Sequence, residues 1–151
     1  MSDHTYSTAL AWTGSTGAGY RDYDRDHTLG LGGANHLVAS ADAAFRGDSR
    51  LPNPEQLLVA AASSCQLLSF LAVAAFAGID VVAYDDDATG RMPQGDSPMR
   101  ITEIELRPMI RVRGADAANV AALVERAHEE CYIANSLSGT VRVTPRIEVV
   151  S

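Results

Sequence analysis

Apolar and polar positions divide this chain into two helix-like runs and several short strand-like ones. The longest apolar run spans residues 53–78, NPEQLLVAAASSCQLLSFLAVAAFAG. Asn53 offers a side-chain oxygen to the free N–H groups of a first helical turn. Pro54 suits the first helical position, where its missing N–H costs nothing. Glu55 adds negative charge at the positive end of the helix dipole, and Gln56 stands at the reciprocal capping position, three residues after Asn53. Gly78 is a natural terminator. The apolar residues occur nearly all round the cylinder, the pattern of a helix buried within a protein. A membrane span is the rival reading by length. However, Ser63, Ser64, Cys65, Gln66 and Ser69 interrupt the middle, and no basic residues anchor the ends, so a core helix is expected.

A second helix is expected from an N-cap at Asp116 through Cys131, with Val120, Leu123, Val124, Ala127 and Cys131 at three- and four-residue spacings on its inward face. Strand-like alternation is expected over 4–12, 20–31, 35–42, 79–92, 100–113 and 140–150. Ile101, Ile104, Leu106, Ile110 and Val112 supply the apolar positions of the fifth, with a kink near Pro108. Val141, Val143, Ile147 and Val149 supply those of the last. On the second of these strands Arg21 and Arg25, four apart, would share a face. The order is three strands, long helix, two strands, helix, strand: an α+β fold. At 151 residues it reads as one domain, 1–151.

Two glycine- or acid-rich stretches mimic ligand loops. TGSTGAG, residues 13–19, lacks the following Lys-Ser/Thr of a phosphate loop and reads as a hairpin turn. Asp85, Asp87, Thr89, Gly90 and Asp96 fall at calcium-loop offsets, but strand-like flanks and the missing bidentate Glu favour a solvated hairpin tip.

Composition narrows the chemistry. The net charge of −7 argues against nucleic acid or an anionic membrane as partner. There is no lysine, so any cation beside a reactive group is a permanently charged guanidinium. The N-terminus shows no signal-peptide pattern, and a cytoplasmic, reducing location is expected, where the two cysteines are either inert or a working redox pair. With the two helices side by side, Cys65 and Cys131 would face one another within disulfide reach. A reactive Cys65 needs a nearby cation, since burial alone makes a thiol inert. Arg21, Arg25, Arg46 and Arg50 are available upstream, and a carboxylate is needed to fix the chosen Arg. Glu55 is the evident carboxylate, but ten residues of helix, about 15 Å, separate it from Cys65. An antiparallel helix from a second subunit would bring its own Glu55 alongside Cys65, so a site using both residues predicts a homodimer.

NPEQLL followed by a cysteine ten residues after the Glu resembles the signature of the osmotically inducible protein C (OsmC) and organic hydroperoxide resistance (Ohr) family. AHEECYIANSLSG resembles that family's second-cysteine motif, and YRDYDRDH is closer to the OsmC-like branch. The resemblance spans essentially the whole chain. It implies an OsmC-like fold in an intertwined homodimer and a bacterial thiol peroxidase that reduces organic hydroperoxides to alcohols. Cys65 would be the peroxidatic cysteine, Cys131 the resolving one, and Glu55 the residue orienting a catalytic Arg. Arg25 is the first choice for that Arg, then Arg46, then Arg21. The implied electron donor is an external thiol such as a dihydrolipoyl group, with no bound cofactor or metal.

Two other readings differ in class. His128 and Cys131, three apart on one helix face, have a metal-compatible spacing, but without a Cys-x-x-Cys pair a zinc site is poorly supplied. A non-catalytic OsmC-like binding or structural domain would keep both cysteines as core residues.

Overall fold

The computed structural model describes residues 2–151. The chain forms two compact units, 1–57 and 58–151, each built as follows.

The first unit holds an antiparallel three-stranded sheet, β1 (Ala9–Ala11), β2 (His27–Gly30) and β3 (His36–Ala39), in the order β1-β2-β3. The first two strands are shorter than the alternation suggested, and residues 20–26 are turn and irregular chain. Arg21 and Arg25 therefore do not share a strand face. Arg25 explains the difference: its guanidinium donates to the Tyr20 and Tyr23 carbonyls at 2.6 and 2.8 Å. It also lies over both tyrosine rings, 3.8 Å from the Tyr23 centroid. Those carbonyls are thereby satisfied within a loop instead of a ladder.

The long helix α1 (Pro54–Phe76) begins in the first unit and continues into the second. Its ends follow the expected chemistry. Gln56 N–H donates to Asn53 Oδ1 at 2.8 Å, and Asn53 N–H to Gln56 Oε1 at 3.0 Å, a reciprocal capping box. At the other end Gly78 takes φ +72°, with Gly78 N–H on the Ala75 carbonyl and Ile79 N–H on that of Ala74, a Schellman ending.

The second unit is a bent hairpin with a helical crossover. Strands β4 (Asp80–Asp86) and β5 (Thr89–Arg91) run antiparallel to β7 (Pro108–Arg113) and β6 (Glu103–Leu106) respectively. Helix α2 (Ala117–Glu129), capped by Asp116, and the short α3 (Tyr132–Ser136) then lead to β8 (Thr140–Val143) and β9 (Arg146–Val150), parallel to β6 and β7. The last two strand-like runs are each divided beside a proline, at Arg107–Pro108 and Thr144–Pro145, giving the sheets β4-β7-β9 and β5-β6-β8.

One face of α1 packs here. Phe70, Val73 and Ala74 meet Ile110 and Val112 of β7 and Val120, Val124 and Ala127 of α2, while Ala62 joins Ile104 and Leu106. The opposite face is open in the single chain: Leu68 is 63% exposed, Leu71 39% and Phe76 90%. The all-round apolar character of the sequence is thus used on one side only by this chain's own core.

Candidate active site

Cys65 and Cys131 are both free thiols in the second unit. Helix geometry, about 100° per residue, sets Cys65 at the margin of α1, about 60° from the buried Ala62 and next to the open face. Cys65 is half-buried; Cys131 is 1% exposed.

Cys131 is not inside α2. That helix ends at Glu129, and Cys131 stands in extended conformation at the N-terminus of α3. The break is held by Asn135, whose side-chain amide donates to the Glu129 and Cys131 carbonyls, both at 2.9 Å. The Glu129 carbonyl would otherwise be a lone acceptor at a helix end, whereas that of Cys131 also accepts from the Asn135 main-chain N–H at 3.0 Å. The Asn135 amide is thus a clamp on the turn that carries the thiol.

The two cysteines are neighbours, and their environments order them. Burial pushes the Cys131 thiol above its ordinary value, and its hydrogen bond and charge interaction with Cys65 push it further in the same direction. The Ala134 N–H, and to a lesser degree that of Ile133, pulls the other way without reversing the shift. Cys131 is therefore a poor acid in this setting.

The scaffold behind this pair is polar where it must be. Gln66, fully buried and adjacent to Cys65, donates from Nε2 to the Val124 carbonyl of α2 at 3.2 Å. Asp86 accepts from the Ser63 hydroxyl of α1 and, at 2.7 Å, from Arg107 N–H at the β6–β7 break. A cavity of about 150 Å³ opens beside Leu58, Ile101, Ile104, Leu137 and Val141, with Arg100 on its lining. Leu58 lies two turns before Cys65 and on nearly the same side of α1.

The remaining expected site residues belong to the first unit. Glu55 is half-buried, and its Oε2 is shielded from solvent without any hydrogen-bond partner. Arg25 is fixed by its own loop as described. Arg46 is exposed and left-handed, φ +67°, at the end of the 3-10 turn Ala43–Phe45. Arg21 is exposed. Among the described residues no three His, Cys, Asp or Glu side chains converge as metal ligands.

Residues 47–146 match the family model for OsmC-like protein. The chain is 30% identical over 133 residues to an organic hydroperoxide resistance protein of Xanthomonas axonopodis pv. citri, covering 78% of this chain and 89% of the relative. It is 26% identical over 89 residues to peroxiredoxin OsmC of Escherichia coli, covering 59% of this chain and 62% of the relative. In structure it is similar to an OsmC-like protein of unknown function from Vibrio cholerae, at a TM-score of 0.84 and 29% identity over 97% of this chain and 100% of that one. The cysteine-bearing helix, the divided strands and the second cysteine at a helix junction thus sit within a known fold, and the chain belongs to the OsmC-like family.

Proposed function

We propose that the protein is a thiol-dependent peroxidase that reduces organic hydroperoxides to alcohols. The observation that carries this reading is the pairing of a more accessible thiol, Cys65, with a buried neighbour, Cys131, whose thiol burial pushes above the ordinary range. That order is what a two-cysteine peroxidase needs. The names of the curated relatives, organic hydroperoxide resistance protein and peroxiredoxin OsmC, point the same way.

The Cys65 thiolate attacks the distal oxygen of ROOH; the O–O bond breaks, the alkoxide takes a proton and leaves as ROH, and Cys65 becomes a sulfenic acid. Cys131 then attacks the Cys65 sulfur, forming the disulfide and releasing the hydroxyl as water with the Cys131 proton. Two external thiols, such as one dihydrolipoyl group, restore the reduced pair by exchange. The apolar cavity beside Leu58 suits the hydrocarbon part of the substrate.

The active form in this proposal is a homodimer. Support comes from the exposed apolar face of α1 and from the unpartnered Glu55 Oε2. A second copy would cover the first and bring Glu55 of the partner subunit, with an Arg, to Cys65. Arg25 is the first candidate because its loop already fixes the guanidinium, so little rotamer freedom is lost in gripping a carboxylate or a peroxide. Arg46 and Arg21 follow. A cytoplasmic setting, with no nucleic-acid or membrane partner, completes the reading.

The test is a thiol count on the reduced protein after stoichiometric cumene hydroperoxide. Both thiols should disappear, with a Cys65–Cys131 disulfide found by mass spectrometry. Retention of both would sink the proposal and leave a non-catalytic domain.

A further inference from the structure

A disulfide demands placement at both ends: the two Cα atoms must lie about 4.4–6.8 Å apart, with their Cβ atoms turned together. Cys65 cannot adjust to meet that demand. It is the middle residue of the 23-residue helix α1, so its main chain is held by the helix ladder in both directions. The geometry of a Cys65–Cys131 bond is therefore decided at Cys131, in the break between Glu129, the end of α2, and Tyr132, the start of α3. Helix ends carry unpaired main-chain groups, and a junction of two of them is a natural place for a chain to be loose. Here it is pinned on both sides of the Cys131 Cα. The Cys131 N–H donates to the His128 carbonyl at 3.2 Å, and the Cys131 carbonyl accepts from the Asn135 main-chain N–H at 3.0 Å. The Asn135 side chain adds a cross-brace. Its amide donates to the carbonyls of Cys131 and Glu129, both at 2.9 Å, so one NH2 group with two hydrogens spans the break. Asn135 is itself exposed, so its contribution lies in these hydrogen bonds and not in core packing.

We propose that Asn135 is a positioning residue for the resolving step: its amide holds Cys131 in the extended turn that presents the thiol to Cys65. The inference rests on the peroxidase reading and assigns a residue to its second step. In that step the Cys131 thiol attacks the sulfur of the Cys65 sulfenic acid. The S–S bond forms, the S–O bond breaks, and the hydroxide departs as water with the thiol proton. Asn135 gives up no proton and acts only through the main chain of Cys131. Fixing that main chain in advance removes freedom that closure of the disulfide would otherwise have to freeze, which raises the effective concentration of one thiol at the other. The competing state is a continued α2. Glu130 is already right-handed helical, φ −91° and ψ −2°, and the apolar period of Val120, Val124 and Ala127 runs on to Cys131. Cys131 departs from it with ψ 112°, and the Asn135 amide bridges that departure.

Asn135→Ala removes both side-chain donors and leaves every main-chain bond in place. Equilibrated in glutathione redox buffers, its Cys65–Cys131 disulfide should be about tenfold easier to reduce than that of the unaltered protein, a potential about 30 mV less negative. Tenfold is a modest share of two ordinary hydrogen bonds. The first thiol should react with hydroperoxide at the original rate. Disulfide formation should slow by a similar factor, and sulfinic acid should accumulate at Cys65. Asn135→Ser keeps one short donor and should fall between the two; it carries the same measurement if the alanine variant does not fold. A brace that served stability alone would lower the urea midpoint of reduced and oxidised protein alike and leave the potential unmoved. That result, in a protein that still consumes hydroperoxide, overturns the Asn135 role and spares the peroxidase reading. A shifted potential in a protein that ignores hydroperoxide upholds the brace and sinks the peroxidase reading.

Discussion

Gln66 donates from Nε2 to the main-chain carbonyl of Val124 at 3.2 Å, and this one bond ties the helix of Cys65 to the helix that leads to Cys131. Gln66 follows Cys65 directly, and Val124 lies on the helix that ends two residues before Cys131. Gln66→Ala should destabilise the protein by about 2–3 kcal/mol, through the lost hydrogen bond and the cavity in a fully buried site. Urea unfolding of the reduced protein measures it. The same variant should form the Cys65–Cys131 disulfide more slowly, because the register of α1 against α2 is loosened. Unaltered stability would show that the carbonyl finds another donor.

Asp86 joins three elements through Ser63 and Arg107 N–H. Asp86→Ala would leave a backbone donor and a hydroxyl without their acceptor at the strand break, and should cost about 2–3 kcal/mol. Ser63→Ala should cost less, about 1 kcal/mol, since Arg107 keeps its partner. A double-mutant cycle by urea unfolding checks whether the two losses are coupled.

The alkaline limb of stability has a defined sign. Cys131 and Tyr84 both have folded-state values above their ordinary ones, 9.0 for the thiol and 10.0 for the phenol, chiefly through burial. Above the ordinary values the unfolded chain releases these protons while the folded chain still holds them. Their stabilising contribution is therefore complete below about pH 9 and is lost as pH rises through the folded-state values. The urea midpoint should fall between pH 9 and 11, and less steeply in Cys131→Ala. Equal slopes in both proteins would place the alkaline sensitivity elsewhere.

Much of this was legible in the sequence, because local chemistry decided it. The Asn53–Gln56 box and Gly78 ended α1 where the caps required. The strand divides at Arg107–Pro108, where the proline led a kink to be expected. Two features were not legible. Arg25 reads as a strand residue from its polar neighbours, and only the fold reveals that its guanidinium stacks on Tyr20 and Tyr23 and spends donors on their carbonyls. Cys131 reads as helical from the period of Val120, Val124 and Ala127, whereas the Asn135 amide holds a break there. In both cases a side chain satisfies main-chain carbonyls, and periodicity carries no trace of that.

The choice of cation separates two geometries. If Arg25 serves Cys65, Arg25→Ala should lower kcat/KM for cumene hydroperoxide by about 10²-fold, the order expected when a preorganised charge is lost from a reacting centre. Arg46→Ala should then be nearly neutral. Because Arg25 also holds its own loop, Arg25→Lys gives the second arm. It keeps the charge but cannot supply the planar fork, so activity should return only in small part. The reverse order of effects would move the role to Arg46.

The open face of α1 gives the last test. Leu71 is 39% exposed and Leu68 63%, on the side turned away from Phe70 and Val73. A charge there would be solvated in a single chain but desolvated between two packed helices. Leu71→Glu should therefore leave the fold of the chain intact by circular dichroism while reducing the mass in sedimentation equilibrium from twice 16.0 kDa toward the single-chain value. Hydroperoxide consumption should fall in parallel with the dimer fraction, because the dissociated chain lacks the partner's Glu55. A Leu71→Glu protein that stays active as a single chain would refute the shared site, and would require Cys65 to draw its cation from its own chain.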